Sequence, residues 1–197
     1  KLAVKGAMKL GRSPKVQALL DEIEKMAPDE KAVIFSQWTS FLDIMGHELF
    51  QEGHSFTRID GTMSADERYT AMEEFDTEGC NSPRTPRFML CSLMACGTGI
   101  NLVRANVVFL MDCWWNAAAE LQAMDRVHRI GQKRPVRVYR FLIADSIESR
   151  MMALQESKSA LGKGSLQKLQ PEEQRKARLT TLHDLFQVQD IEELWES

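Results

Sequence analysis

The sequence predicts an α/β lobe, with a mostly parallel central sheet covered by helices on both faces and an α-helical extension at the C-terminal end. Three observations predict it. Short continuous apolar runs recur at 31–37, 87–92 and 106–112, as in strands buried on both faces. Segments with helical spacing alternate with them. The last part of the chain, beyond about residue 145, carries helical patterns with no further strand.

Taken in order, residues 1–12 read as a linker with scattered lysines. Ser13 and Pro14 are the N-cap and first residue of a helix, and Val16, Leu19, Leu20, Ile23 and Met26 recur on its apolar face, giving 14–26. "KAVIFSQ" (31–37) is a buried strand. Phe41, Leu42, Met45 and Leu49 mark a second helix, closed by Gly53. "SFTRIDG" (55–61) is a strand and turn, and Ser64 with Glu67 forms a capping pair for a helix to about Phe75. Residues 76–86 read as a loop. "RFMLCS" (87–92) and "NVVFLMD" (106–112) are strands, followed by a helix over 117–130 with Asn116 as N-cap and Gly131 as stop. "VRVYRFLI" (136–143) is a fifth strand. "DSIESRMMALQESKSALG" (145–162) is a helix with Asp145 and Glu148 as its capping pair, and Pro171 starts a charged helix with Leu179, Leu182, Leu185 and Phe186 on one stripe. The domains expected are a linker at 1–12, the lobe at 13–160 and a helical extension at 161–197.

Composition excludes several classes. Of 197 residues, 44% are hydrophobic and 27% charged, an ordinary globular balance. The longest apolar runs are too short to cross a bilayer, so no membrane partner is expected. Cys80, Cys91, Cys96 and Cys113 follow no CxxC spacing and read as buried free thiols, with no metal site. A net charge of −3 argues against indiscriminate nucleic-acid binding. The charge is unevenly spread, however: Arg126, Arg129, Lys133, Arg134, Arg137 and Arg140 fall in one stretch with no acid between 126 and 144.

Gln122, Arg126 and Arg129 lie within about a sixth of a turn of one another on an ideal helix. Ala117, Leu121, Met124, Val127 and His128 are expected on the opposite, core-facing side, where Glu120 needs a buried partner. An amide and two guanidinium groups on one face suit a phosphate-bearing ligand. A solvated charged face fits the same pattern. Gly97 and Gly99 follow a strand and let backbone N–H groups approach an anion or a ribose. Because ligands collect outside the carboxyl ends of parallel strands, Ser92 to Gly99 and Arg126 to Gln132 are expected to face one edge, with Ser36-Gln37 and Asp60-Gly61 at similar ends.

"KAVIFSQW", "RIDGTMSADER", "CSLMACGTGINL", "DCWWN" and "QAMDRVHRIGQKRPVRVYRF" resemble, in order and spacing, the second RecA-like lobe of Swi/Snf-type DNA translocases in helicase superfamily two. The likeness covers about residues 13–160. "SL" at Ser92-Leu93 and "WWN" look most similar to the subgroup that often carries a RING finger. The resemblance implies a RecA-like three-layer lobe in which Arg126 and Arg129 are arginine fingers for an ATP held by a partner lobe. It makes Gln122 their support and places Gly97, Gly99 and Asn101 on the same cleft. It also implies that Ser36, Gln37, Thr62, Ser92 and Leu93 touch the phosphates of double-stranded DNA, whatever its sequence. The partners implied are that DNA, the N-terminal RecA-like lobe, and nucleosomes or ubiquitination machinery, in the nucleus.

The GxxxxGK[ST] loop that cradles a triphosphate does not occur in these 197 residues, and "PDEK" (28–31) precedes a strand rather than following one. ATP and Mg2+ are therefore expected to sit mainly on the first lobe, and these residues alone to be inactive. Two other readings stay open: a non-catalytic DNA- or protein-interaction module, and an RNA helicase lobe. "HRIGQ" followed by "KRPVRVYRF" favours the Swi/Snf pattern over the latter.

Overall fold

A computed structural model describes residues 2–4, 12–80, 82, 85–95, 99–114 and 116–162. The expected second tail helix from Pro171 and the glycine Gly97 lie outside the described residues. The chain divides into two compact units, residues 1–143 and 144–197.

In the first unit the elements run β1 (Leu2–Val4), α1 (Pro14–Glu24), β2 (Ala32–Ser36), α2 (Thr39–Gln51), β3 (Phe56–Ile59), α3 (Ala65–Asp76), β4 (Phe88–Ser92), β5 (Val107–Leu110), α4 (Ala117–Val127) and β6 (Arg137–Ile143). The strands pair in the order β1-β6-β5-β2-β4-β3, and every pairing is parallel. The alternating strand and helix pattern predicted this sheet, but the edge strand β1 lies in the stretch expected to be linker. Three residues with a lysine at either end are too few to announce a strand.

Successive residues of a strand point to opposite faces, and the core divides accordingly. Val33, Phe35, Met89, Cys91, Val108 and Leu110 pack with Ala71 and Phe75 of α3 and Ala123 and Val127 of α4. Ala32, Ile34, Phe88, Leu90, Val107 and Phe109 pack with Val16, Leu19 and Ile23 of α1 and Leu42, Met45 and Leu49 of α2. The result is three layers, with α1 and α2 on one face and α3 and α4 on the other.

The capping residues act as the sequence predicts in the first unit. Ser13 accepts from the Val16 N–H, Ser64 and Glu67 form a reciprocal capping box, and Asn116 accepts from Ala118. In the second unit, α5 (Ile147–Gly162) starts differently. Ser146 rather than Asp145 caps it: the Ser146 hydroxyl accepts from the Glu148 N–H at 3.2 Å, and Asp145 sits at φ 54°, in the left-handed region.

Two polar clusters fix the sheet's ends. At the amino ends, Glu30 accepts from Asn106 Nδ2 at 2.6 Å and the Ala27 N–H at 3.0 Å, and pairs with Arg137 at 2.5 Å. Burial pushes the Glu30 carboxyl up, but the Asn106 and Ala27 donors and the Arg137 and Arg134 charges outweigh it, so it titrates below its ordinary 4.5. On the α4 side, fully buried Glu120 accepts from Arg140 Nε and from the Trp114 N–H, each at 2.9 Å. Arg140 and the Trp114 backbone are thus the partners that Glu120 lacked in the sequence reading.

The thiols divide. Cys80 and Cys113 are in no disulfide, whereas Cys91 is disulfide-bonded, contrary to the expectation of thiols throughout. Cys96 lies outside the described residues.

Glu120→Ala strands Arg140 and the Trp114 N–H, and chemical denaturation should show a loss of about 3 kcal/mol. A carboxyl held below its ordinary range contributes stability that is complete above pH 4.5 and is lost as pH falls through its folded-state value. The stability gap between the unaltered protein and Glu30→Gln should accordingly narrow on acidification below that pH. A gap independent of pH contradicts the assignment.

Candidate functional site

The path of the chain between β5 and β6 decides where the arginines lie. These strands are parallel, with Val107 opposite Arg137 and Leu110 opposite Arg140. The chain leaves β5 at its carboxyl end and must return to the amino end before β6 begins. Helix α4 makes that return, so Arg126 to Gln132 end beside the amino ends of the strands. The Arg137 N–H donates to Asn106 O at 2.9 Å there, and Gln132 Nε2 donates to Ala105 O at 2.7 Å.

This corrects the expectation of one shared edge. Ser36, Gln37, Asp60, Thr62, Ser92 and Leu93 stay at the carboxyl rim, because each follows or ends a strand directly. Arg126 and Arg129 are carried to the far end of the α3–α4 face. Helix α4 is also shorter than predicted: it stops at Val127, with His128 as its C-cap. Arg129 therefore projects from a turn rather than from the helix, and Gly131, at φ 106°, completes that turn. The inward stripe is Glu120, Ala123 and Val127. Leu121 is 54% exposed and His128 is exposed, so neither packs in the core as expected. His128 leaves the helical register once α4 ends, and Leu121 follows Glu120 by 100° and turns outward.

Gln122, Arg126 and Arg129 do share a surface. They line one shallow groove of about 490 Å3 with Asp125, His128 and Ile130. Gly99 and Asn101 line a neighbouring groove of about 810 Å3, walled by Tyr69, Met72 and Glu73 of α3. The two are joined through the backbone: the Leu102 N–H donates to Arg126 O at 2.9 Å. The loop carrying Gly99 and Asn101 and the end of α4 carrying Arg126 thus form one tied unit. Gly99, at φ 55°, supplies the left-handed turn in that loop.

Three of the six cations in the 126–144 stretch are committed elsewhere. Arg134 pairs with Asp29 at 3.1 Å, Arg137 with Glu30, and Arg140 with Glu120. Arg129 is exposed and makes no ion pair among the described residues. A run of six cations in the sequence becomes, in space, three internal ties, a half-buried Arg126, and the exposed Arg129 and Lys133. The exposed Ile130 lies beside Arg129, so the tip is both cationic and apolar.

At the carboxyl rim, the groups expected to donate to phosphates are engaged internally. Ser36 is fully buried, and its hydroxyl donates to Asp112 Oδ2 at 2.5 Å; the Gln37 N–H donates to the same oxygen at 2.9 Å. Thr62 donates to Asp60 through both its N–H, at 2.8 Å, and its hydroxyl, at 2.6 Å. The Leu93 N–H donates to Ser36 O at 3.0 Å, and Ser92 and Leu93 are both buried. Burial pushes the Asp60 carboxyl up, but its Thr62 and Arg58 partners outweigh that and hold it below the ordinary aspartate value. The groups that remain outward are Thr62, the half-buried Gln37, and the exposed Trp38 and Met94.

Sequence reasoning missed Asp112 and Gln132, which organise the two regions. Asp112 was legible only as the polar residue closing an apolar strand, and Gln132 only as an amide just beyond a helix-stopping glycine. Among the described residues there is no group of three or more His, Cys, Asp or Glu side chains placed to hold a metal ion, and no helix long and apolar enough to cross a membrane.

Comparison with known proteins supplies the family. Residues 14–131 match the helicase conserved C-terminal domain. The chain is 43% identical over 191 residues to DNA repair protein RAD5 of Cryptococcus neoformans, covering 95% of this chain and 15% of that protein. It is 44% identical over 177 residues to DNA repair protein RAD5B of Arabidopsis thaliana, covering 88% of this chain and 13% of the relative. The chain thus spans about a seventh of the length of these relatives. Its fold superposes on the crystal structure of the C-terminal part of the Fun30 ATPase domain with a TM-score of 0.67 at 32% identity, over 76% of this chain and 47% of that one. The chain belongs to the helicase conserved C-terminal domain family, as the second RecA-like lobe of the Swi/Snf type in superfamily two.

Proposed function

We propose that the chain is the second motor lobe of an ATP-dependent translocase acting on double-stranded DNA in repair or chromatin remodelling. One observation carries the reading: three of the six clustered cations are tied to carboxylates, while Arg129 projects unpaired among the described residues from a turn braced by backbone bonds. A guanidinium kept available on a fixed support suits a phosphate that arrives from outside the lobe. The repair names of the RAD5 relatives support DNA as the substrate of the whole protein and the nucleus as its location.

In this reading ATP and Mg2+ sit mainly on the first RecA-like lobe. Arg126 and Arg129 extend across to the γ-phosphate, with Gln122 beside them, and neutralise charge that develops during phosphoryl transfer. Gly99 and Asn101 complete the cleft from this side, and Gly97 belongs to the same loop in sequence. The Gln37 side-chain amide donates to DNA phosphates at the carboxyl rim, beside Thr62, whose own donors are held by Asp60. Ser36, Ser92 and Leu93 shape that rim from beneath, through Asp112 and the β2–β4 contacts. Residues 13–160 act as the motor lobe and 161–197 as a helical extension. Ubiquitination machinery or nucleosomes are partners of the whole protein.

The test compares the full-length protein, its Arg129→Ala form and the 197-residue chain alone, with DNA and with RNA. DNA should stimulate turnover more than RNA does. Arg129→Ala should lower kcat by about 1,000-fold or more with ATP binding nearly intact, and the chain alone should not hydrolyse ATP. Turnover by the chain alone, or full turnover in Arg129→Ala, contradicts the proposal.

A further inference from the structure

Gln132 makes an unusual set of contacts for a surface residue of a turn. Its Nε2 donates to Ala105 O at 2.7 Å, Val103 O at 3.1 Å and Val127 O at 3.2 Å, and its Oε1 accepts from the Arg134 N–H at 2.9 Å. Two amide protons are thus shared among three carbonyls from two separate segments. Val103 and Ala105 belong to the loop that carries Gly99 and Asn101. Val127 is the last residue of α4, whose final carbonyls have no partner within the helix. The Gln132 N–H also donates to Arg129 O at 3.0 Å, which closes the turn that bears Arg129.

These bonds surround the arginine pair without touching its guanidinium groups. The Gln132 backbone holds the Arg129 carbonyl, its side chain holds the carbonyl next to Arg126, and the loop it grips returns the Leu102 N–H to Arg126 O at 2.9 Å. We infer that Gln132 is the positioning residue that fixes where Arg126 and Arg129 present their guanidinium groups, and that it couples the Gly99–Asn101 loop to them. Gln122, the support expected from the sequence, is exposed on α4 and has no comparable bonds among the described residues.

The side-chain chemistry is specific. Three converging carbonyls require a donor, so an isosteric carboxylate repels them and an apolar side chain leaves them unpaired. An ammonium group at the same reach donates to all three. The inference rests on the arginine assignment proposed above, and the experiment separates the two.

In the full-length protein, DNA-stimulated ATP hydrolysis is measured for Gln132→Met, Gln132→Lys, Arg129→Ala and the double variant Gln132→Met/Arg129→Ala, below every unfolding transition. Displacing a catalytic group by about 1 Å costs on the order of 100-fold in rate, so Gln132→Met should lose at least about tenfold in kcat. KM for ATP should change by less than about threefold, since the lost contacts act on the transition state. Gln132→Lys should recover most of the loss. On the Arg129→Ala background, Gln132→Met should cost little more, because both changes remove one contribution. A merely structural glutamine predicts multiplicative losses in the double variant and no rescue by lysine, and either outcome overturns the inference. Full turnover in Gln132→Met with an inactive Arg129→Ala overturns it alone. Full turnover in Arg129→Ala overturns the arginine assignment, and this inference with it.

Discussion

Two parallel neighbours, β5 and β6, impose the constraint on which this lobe depends. Parallel pairing obliges the chain to travel the length of the sheet between them, and α4 is the segment that does so. The helix is anchored at both ends. Near its start, Glu120 is buried against Arg140 and the Trp114 N–H; at its end, Val127 O and Arg126 O are held by Gln132 and by Leu102. A helix fixed at both ends presents its last turn in one place. Arg126 occupies that turn, and Arg129 the tight turn that follows it.

The same geometry separates two surfaces that the sequence suggested were one. The β2–β4 carboxyl rim is organised by Asp112 and Asp60, which engage Ser36, Gln37 and Thr62. The arginines and the Gly99–Asn101 loop lie on the α3–α4 face, toward the amino ends. In the proposed function, nucleic-acid contacts fall at one end and nucleotide contacts at the other, an arrangement suited to convert closure against a partner into movement along a strand. The separation of the two surfaces follows from topology before any ligand is considered.

The fold was largely legible in the sequence because buried parallel strands announce themselves as continuous apolar runs, and because Ser13, Ser64 and Asn116 are strong N-cap residues. What failed was short or tertiary. Strand β1 has only three residues. The end of α4 at Val127 is set by tertiary bonds from Gln132 and Leu102, whereas sequence pointed to Gly131, four residues later. Ser146 displaced Asp145 as cap of α5 because Asp145 adopts a left-handed conformation. Of the candidate site, the grouping of Gln122, Arg126 and Arg129 was readable from helical spacing. Their support was not, since Gln132 reaches carbonyls 27 and 29 residues away, and no local pattern encodes such a contact.

In the proposed mechanism, Arg129 acts on a triphosphate at its reacting stage rather than in its resting state. Binding of ADP with aluminium fluoride, a mimic of the transferring phosphoryl group, to full-length protein and to its Arg129→Ala form measures this directly, with unreacted ATP binding as reference. The substitution should weaken the mimic by about 100-fold or more while ATP affinity barely changes. Equal weakening of both, or of neither, contradicts it.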